Sequence, residues 1–364
     1  MKKILCAILA ASALLAPARC LAAAVVLEEA NTGTVIYEEE AAKQMKPHGL
    51  LKLMSLLVFY EAVNDGTISL KDDVTVSKNA AAKGGSRAFL DSGASYTAEE
   101  LLGPVLICGA NDAMTALAEA CSGSEEAFVK AMNDKAGEMG LASSFADCTG
   151  LAEGSVTTPR DMAAICCALT KYSGIFKLSS ESTAEFVHKS GRTTNLANPN
   201  KLIKTEGFDG LLTGSDGAAD YGVAATFKSG GARYVAIVMG AEKTGERFDT
   251  AKRLTEEAAA KYGVKQIAKA GGKIRNIPCE DVGAEGIDIY AAGDLSVLYE
   301  KGGEVKTVTD IGEIRLPLSA GQKVGTISAE GSAGVDLIVK QDYRAKTLRS
   351  TLSAILRNRL GIVS

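Results

Sequence analysis

The stretch that decides the fold is TFKSGGARYVAIVMGAEKTGERFDTAKRLTEEAAAKYG, which runs from Thr226 to Gly263. Two runs rich in apolar and β-branched residues flank the turn-forming pair Gly230 and Gly231, and a long segment with helical spacing follows them. This pattern predicts a strand, a tight turn, a second strand, a loop and a helix. The order is typical of an α+β domain in which helices pack on an antiparallel sheet.

The sequence upstream extends the same domain. Residues 23–44 (AAVVLEEANTGTVIYEEEAAKQ) contain two alternating runs joined by a turn at residues 31–33, which predicts a β-hairpin. Apolar residues recur at helical spacing over residues 50–64, which predicts a core helix. Thr97 with Glu100 forms a capping box, and residues 157–161 (TTPRD) predict another helix start.

The end of the chain changes character. Five short alternating segments separated by Gly, Asp and Asn predict a small all-β domain over residues 272–341: KIRNIPC, IDIYAAG, LSVLYEK, EVKTVTD and EIRLPLS. Residues 345–362 then place leucines on one side and basic residues on the other, which predicts a basic amphipathic helix. Such a helix packs either on the protein itself or on a membrane surface, and the sequence leaves both readings open.

Residues 1–24 predict an export signal. Lys2 and Lys3 precede an apolar stretch from residue 4 to 17, and small residues follow near residue 24. A membrane-spanning anchor is the alternative, but the stretch is shorter than the roughly 20 residues that a span requires. Cys20 raises lipid attachment as a further alternative, for which the preceding Arg19 is a poor match.

Composition limits the remaining classes of function. The 364 residues suit two domains, and 46% apolar with 23% charged residues is ordinary for a globular protein. A formal net charge of −4 offers no general attraction for nucleic acid. The cysteines beyond the signal have no metal-ligand spacing, so we expect neither a metal nor a cofactor. Buried thiols and disulfides, for example between Cys108 and Cys121, both remain open.

Three short motifs follow one another in a known order. They are PHGLLK at residues 47–52, GANDA at residues 109–113 and DGLLTG at residues 209–214. This series resembles the P-A-S-x-x-K, S-x-N-D-A and D-G-x-K-T-G motifs of penicillin-binding D-alanyl-D-alanine carboxypeptidases, and the resemblance extends along nearly the whole chain. It implies an α+β, DD-peptidase/β-lactamase-like domain over residues 25–263, an antiparallel sheet flanked by a helical cluster, ahead of the small β domain.

The resemblance also implies roles for particular positions. In that family a serine attacks the substrate carbonyl, a lysine one helical turn later takes its proton, and a second serine passes a proton to the leaving group. A strand lysine binds the terminal carboxylate of the substrate. Here the nucleophile position is Gly49, the second serine position is Gly109, and the strand lysine position is Leu212. The residues that match the family are Lys52, Asn111, Thr213 and Gly214.

No other segment restores the missing motifs. Thr75 and Lys78 have the right spacing, but an alternating β pattern would point them to opposite faces. Residues 243–245 (KTG) follow the last strand of the domain and lie in the loop before its last helix. We therefore expect that covalent acyl transfer is absent.

Three further side chains are candidates for catalytic groups. His48 next to Gly49 is either a base or a surface residue, and the surface reading is favoured. Cys108 is either a replacement nucleophile or a buried core thiol, and the core reading is favoured because an apolar run precedes it. His188 has no acidic partner at an informative spacing, so we expect a structural residue.

These expectations lead to a functional hypothesis. The chain is an exported protein of the cell envelope that binds a peptidoglycan stem peptide or an envelope protein without cleaving it. The first alternative is an active carboxypeptidase with a non-standard nucleophile. The second is a scaffold of the envelope or of a developing spore, for which the β domain and the basic helix are the motivation.

Overall fold

The computed structural model describes residues 23–330 and 332–346, and it leaves the side chains of residues 283–285 undescribed. The predicted signal up to residue 22 and the predicted C-terminal helix from residue 347 onward lie outside the described residues. The chain divides into two compact units, one ending at Lys261 and the other beginning at Tyr262.

The first unit combines helices with an antiparallel sheet. The α-helices are α1 (Lys52–Asn64), α2 (Lys78–Ala82), α3 (Ala98–Cys108), α4 (Asn111–Ser122), α5 (Glu125–Glu138), α6 (Pro159–Leu169), α7 (Gly174–Ser179) and α8 (Thr244–Lys261). The strands are β1 (Ala24–Glu29), β2 (Thr34–Glu39), β3 (Asp73–Thr75), β4 (Ser95–Thr97), β5 (Thr183–Val187), β6 (Thr193–Ala197), β7 (Phe208–Gly210), β8 (Thr213–Gly214), β9 (Tyr221–Ser229) and β10 (Ala232–Ala241).

The main sheet has the strand order β2-β1-β10-β9-β7, with β8 also paired to β9. β9 and β10 form the predicted hairpin, and α8 follows them and packs on both strands. β1 pairs antiparallel with β10, so the opening hairpin completes the same sheet. The strand–turn–strand–helix prediction and the α+β fold are therefore confirmed.

Helix α1 is the centre of the helical cluster. Its apolar residues surround the helix rather than forming one stripe, which is typical of a helix buried on every side. Leu53, Met54, Leu56 and Phe59 are each fully buried. A 3₁₀ turn, His48–Leu51, leads directly into α1, so the first predicted motif lies where this buried helix begins.

The predicted helix caps are present. Thr97 accepts from the Glu100 backbone N–H while the Glu100 side chain accepts from the Thr97 N–H, which completes the capping box of α3. Thr158 caps α6 by accepting from the Asp161 N–H, with Pro159 in the first turn. These bonds satisfy N–H groups that a helix start leaves without partners.

A buried ion pair fixes the strand that precedes β8. Asp209 accepts two hydrogen bonds from the Arg233 guanidinium, both at 2.9 Å, and a third from Thr226 Oγ1 at 2.7 Å. The Arg233 guanidinium also stands 3.7 Å from the ring centre of Phe176. The acidic residue of the third motif therefore ties β7 to β9 and β10.

The second unit is all-β within the described residues. Its strands are β11 (Tyr262–Ala268), β12 (Lys273–Cys279), β13 (Gly283–Ala291), β14 (Leu295–Glu300), β15 (Thr307–Ile311), β16 (Lys323–Ala329) and β17 (Val335–Ile338). β11 pairs with β14, and the other five form a sheet of order β12-β13-β17-β16-β15. A separate apolar core lies within this unit.

One predicted strand in this unit is wrong. The segment EIRLPLS forms no strand, and its Leu318 makes only an isolated bridge to Tyr343. Pro317 within it lacks the N–H that a ladder needs. β11, β16 and β17 were not predicted, and β11 places the start of this unit at Tyr262 instead of residue 272. In β16, Gly325 interrupts the apolar alternation. A Cβ at Gly325 would lie 2.2 Å from the Asp310 carbonyl oxygen, so the close approach of β15 and β16 requires glycine there.

Removing the charge of Asp209 should destabilise the first unit. The side chains of Asp209 and Arg233 are 22% and 9% exposed, so Asp209→Asn leaves a largely buried guanidinium without its counter-charge. We expect a loss of about 2 to 3 kcal/mol in the free energy of unfolding, measured by urea denaturation of the far-ultraviolet helical signal.

The matched control is Asp134→Asn, which breaks the exposed Lys130–Asp134 pair, whose side chains are 76% and 60% exposed. It should cost less than about 0.5 kcal/mol. Equal small losses for both variants would show that the Asp209 pair does not anchor β7.

Candidate functional site

A cavity of about 300 Å³ opens between the helical cluster and β8. It is bounded by the start of α1, the loop at residues 85–86, the junction of α3 and α4, the loop at residues 149–151 and β8. The wall contains all seven positions that the motifs single out, namely Gly49, Lys52, Gly109, Asn111, Leu212, Thr213 and Gly214. Residues far apart in the sequence therefore meet at one place.

Lys52 is a buried cation at the centre of the motif residues that line this cavity. It is 4% exposed, and its Nζ donates to Asn111 Oδ1 and to the Thr149 carbonyl oxygen, both at 2.8 Å. Burial lowers the pKa of Lys52 to about 8, and the field of the Asp147 carboxylate works against that shift. The ammonium is therefore held by neutral oxygens, and no acidic side chain of the described residues forms an ion pair with it.

The two acceptors of Lys52 are themselves held in place. Asn111 Nδ2 donates to the Gly84 carbonyl oxygen at 2.9 Å, which fixes the orientation of the side-chain amide. Asp147 accepts from the backbone N–H groups of Gly150 and Leu151, each at 3.0 Å, which folds the loop that presents Thr149. Both contacts arrange the cavity before any ligand enters.

The backbone of β8 packs against Gly49, the residue at the predicted nucleophile position. A Cβ at Gly49 would lie 2.9 Å from the Thr213 carbonyl oxygen and 3.4 Å from Gly214 Cα. A Cβ at Gly214 would in turn lie 3.0 Å from the Gly49 nitrogen. The start of α1 and β8 thus meet backbone to backbone, and a serine at position 49 would require one of them to move.

Gly109 and Leu212 are the other two residues that differ from the family motifs. Gly109 ends α3 in the left-handed conformation, with φ 70°, which favours glycine at a helix end. A Cβ there would contact Lys52 Cε at 3.6 Å. Leu212 is 4% exposed and adds an apolar wall. At the positions predicted for the two serines and the strand lysine, the cavity therefore has glycine, glycine and leucine, which supply no hydroxyl and no cation.

The prediction for His48 is wrong. Instead of lying on the surface, His48 is 9% exposed, and its Nε2 lies 3.0 Å from Asp220 Oδ2. The backbone of His48 is also closely packed, against Gly150. A Cβ at Gly150 would lie 1.9 Å from the His48 carbonyl oxygen. The ring joins the start of α1 to the loop between β8 and β9, a partner that adjacency in sequence does not reveal.

The prediction for Cys108 is correct only in part. Its half-buried side chain packs against the hydrophobic core, as predicted, and it also lines the cavity. Burial is the main reason that the pKa of Cys108 is raised to about 11, and the negative charge of Asp112 adds to the effect. The Cys108 Sγ donates to the Pro104 carbonyl oxygen. The thiolate is therefore scarce at neutral pH. The cysteines in the described residues are all free, so Cys108 and Cys121 are not bonded to each other.

The remaining candidates lie elsewhere. Thr75 ends β3, whereas Lys78 begins α2 behind its cap Ser77, so the β pattern expected for the pair stops before Lys78. Thr244 starts α8 at the segment KTG. His188 is 2% exposed, with Nε2 2.8 Å from Thr194 Oγ1, as a structural residue would be.

Five polar residues of the cavity were missed, namely Ser86, Thr149, Asn198, Ser215 and Arg247. Ser86 lines it, and its carbonyl oxygen accepts from the Asn111 N–H. Arg247 of α8 also lines it, is 5% exposed, and donates from Nη1 to the carbonyl oxygens of Gly214 and Gly222. Its Nε has no hydrogen-bond partner in the part of the chain that is described. Arg247 is 33 residues from Gly214 in the sequence, so its contact with β8 forms only in the folded chain.

The buried Lys52 should make stability depend on pH. The unfolded chain keeps this proton up to about pH 10.5, whereas the folded protein releases it near pH 8. Between these values the unfolded state binds more protons, so stability rises with pH. Relative to Lys52→Met, the natural protein should gain about 3 kcal/mol from below to above this window, measured by urea denaturation at a series of pH values.

Lys130→Met is the control, because the Lys130 side chain is 76% exposed. The stability difference between this variant and the natural protein should stay constant through the same window. A constant difference for Lys52→Met as well would contradict a desolvated ammonium at that position.

Comparisons with known proteins agree with this geometry. The family profile described as D-alanyl-D-alanine carboxypeptidase, peptidase S11, matches residues 11–243. D-alanyl-D-alanine carboxypeptidase DacF of Bacillus subtilis is 34% identical over 309 residues, covering 83% of this chain and 79% of that protein. DacC of Escherichia coli is 32% identical over 243 residues, covering 63% of this chain and 59% of that protein.

Solved structures show the same relationship. Penicillin-binding protein 5 of Haemophilus influenzae superposes with a TM-score of 0.77 at 26% identity, covering 91% of this chain and all 100% of that one. Penicillin-binding protein D2 of Listeria monocytogenes, solved in an ampicillin-bound form, superposes with a TM-score of 0.55 at 26% identity. The match covers 66% of this chain and 98% of that one. By its sequence, its fold and the place where its motifs meet, the chain belongs to the D-alanyl-D-alanine carboxypeptidase family, peptidase S11.

Proposed function

We propose that this chain is an exported, non-catalytic member of its family that binds peptidoglycan stem peptides in the cavity beside Lys52. The observation that carries the proposal is Gly49, because glycine provides no nucleophile. The backbone of β8 packs so closely on it that a Cβ at this position would lie 2.9 Å from the Thr213 carbonyl oxygen. Its relatives are named D-alanyl-D-alanine carboxypeptidases, which supports a peptidoglycan peptide as the ligand.

The chemistry supports the loss of catalysis. Acyl transfer by a serine enzyme requires a nucleophilic oxygen beside a base, and loss of the nucleophile costs several orders of magnitude in rate. Lys52 still has a base-like pKa of about 8, but the position next to it is Gly49. The Cys108 thiol, with its pKa of about 11, is a poor substitute at neutral pH.

The same cavity keeps features that suit a bound peptide. β8 pairs with β9 on one side, and no other described strand pairs with it. A free strand edge captures an extended peptide through main-chain hydrogen bonds, which need no nucleophile. Arg247, a buried cation in the wall, suits a terminal carboxylate and partly offsets the missing strand lysine.

Location belongs to the same proposal. The N-terminal pattern supports export, and the family context supports action in the cell envelope, where peptidoglycan is found. The basic C-terminal segment is proposed to associate with the outer face of the membrane. A search of the described residues finds no helix with the length and apolarity of a membrane span.

The test separates binding from cleavage. A synthetic stem peptide ending in D-Ala-D-Ala should bind without release of D-alanine, as followed by calorimetry and by an amino-acid assay of the same samples. The natural protein should bind the free carboxylate about tenfold more tightly than the C-terminal amide, because a charge-assisted hydrogen bond is lost with the amide. Arg247→Gln should bind the two peptides equally.

Arg253→Gln is the matched control, since Arg253 lies on the same helix with a side chain 51% exposed. It should keep the preference for the free carboxylate. Release of D-alanine by the natural protein would instead favour an active enzyme with a non-standard nucleophile, for which the cavity hydroxyl of Ser86 would be examined first. Absence of any peptide binding would favour an envelope protein partner or a scaffold.

A further inference from the structure

Strand β15 forms one edge of the five-stranded sheet in the second unit. It pairs with β16 on one side, and no strand of the described residues pairs with its other side. Its residues from Thr307 to Asp310 are all exposed, and the apolar side chain of Val308 is 62% exposed. An exposed edge leaves backbone N–H and C=O groups available for pairing with another strand.

The ladder between β15 and β16 determines which backbone groups of β15 are available. The Lys306 carbonyl oxygen accepts from a backbone N–H just past β16 at 3.1 Å, and the Gly312 N–H donates to a carbonyl oxygen of β16 at 3.0 Å. Along an antiparallel strand, residues that bond to one neighbour alternate with residues that bond to the other side. The alternate residues Thr307, Thr309 and Ile311 therefore direct their N–H and C=O groups to the outer edge.

The opposite edge of the same sheet differs in one respect. Strand β12 contains Pro278, which has no N–H. Proline is one of the means by which proteins prevent edge strands from pairing with other chains. Strand β15 (TVTDI) contains no proline, and its β-branched residues favour an extended backbone. It is therefore suited to accept a further strand.

The charges of this edge favour a second copy of β15 as that strand. Lys306 and Asp310 lie two residues before and after Val308, and alternate residues of a strand share a face. With an antiparallel two-fold axis at Val308, each Lys306 lies opposite Asp310 of the second copy. The two valines then face each other. The same register places Thr307 opposite Thr309 of the second copy, so their outward groups form about four main-chain hydrogen bonds.

Neighbouring registers lack this match. An axis at Thr307 places Glu304 opposite Asp310 of the second copy, which brings like charges together. An axis at Thr309 places Asp310 opposite Val308 and leaves the lysine without a partner. The register centred on Val308 therefore satisfies the backbone groups and the charges together.

We propose that two copies of this protein associate through β15 and form a continuous sheet across their second units. The partner is thus a second copy of this chain, and the association does not depend on the ligand of the cavity. One pair of short strands is a small interface, so the dissociation constant is on the order of 100 µM.

The test is sedimentation equilibrium of the mature protein at concentrations from about 10 µM to about 1 mM. The measured mass should rise from that of one copy to that of two. Lys306→Glu and Asp310→Lys each place like charges opposite one another at both ends of the strand pair. Each variant alone should therefore raise the dissociation constant about tenfold. An equimolar mixture of the two variants should restore the association, because every acidic residue then faces a lysine.

Lys265→Glu is the matched control, since it reverses an exposed charge on β11 of the same unit. It should associate as the natural protein does. Thr309→Pro removes an outward N–H that β16 does not use, so it should keep the far-ultraviolet spectrum and abolish the association.

Two results would overturn the proposal. A mass of one copy at every concentration would show that β15 does not pair with itself and would leave an extended segment of another protein as the occupant of the edge. An association that survives Lys306→Glu, Asp310→Lys and Thr309→Pro, or that the mixture fails to restore, would show that a different surface or register joins the copies.

Discussion

The buried ammonium of Lys52 is the constraint on which the site depends. A lysine that is 4% exposed loses most of its hydration, so the fold must supply acceptors in fixed positions. Asn111 at the start of α4 and Thr149 in the loop after α5 supply them. Three segments distant in sequence therefore converge on one charge. Removing the lysine would leave the oxygens of Asn111 and Thr149 without their buried donor.

The same contacts explain how the fold accommodates residues that differ from the family motifs. A glycine at position 49 allows β8 to pack directly on the start of α1. Gly109 likewise suits the left-handed end of α3. Asp209, by contrast, anchors β7 through Arg233 and remains in place. The retained residues Lys52 and Asn111 are joined by a buried hydrogen bond on which the arrangement of the cavity depends.

The sequence predicted much of this because local signals and tertiary contacts agree. The β9–β10 hairpin, α8 and the caps at Thr97 and Thr158 follow from turn residues, periodicity and capping chemistry. The motif order located the cavity residues. The errors arose where partners come from distant segments. His48 is buried by its contact with Asp220, and β16 depends on a glycine that lies against β15. Periodicity alone carries no information on such contacts.

The central claim is a preserved fold with a deleted covalent site, and it is tested most directly by the intact mass of the denatured protein after exposure to excess ampicillin. Penicillin-binding protein D2 of Listeria monocytogenes, known in an ampicillin-bound form, is the positive control. The account predicts an unchanged mass for this protein and one added acyl group on the control. A covalent adduct on this protein would contradict the account, and mapping its position would identify a working nucleophile near Lys52.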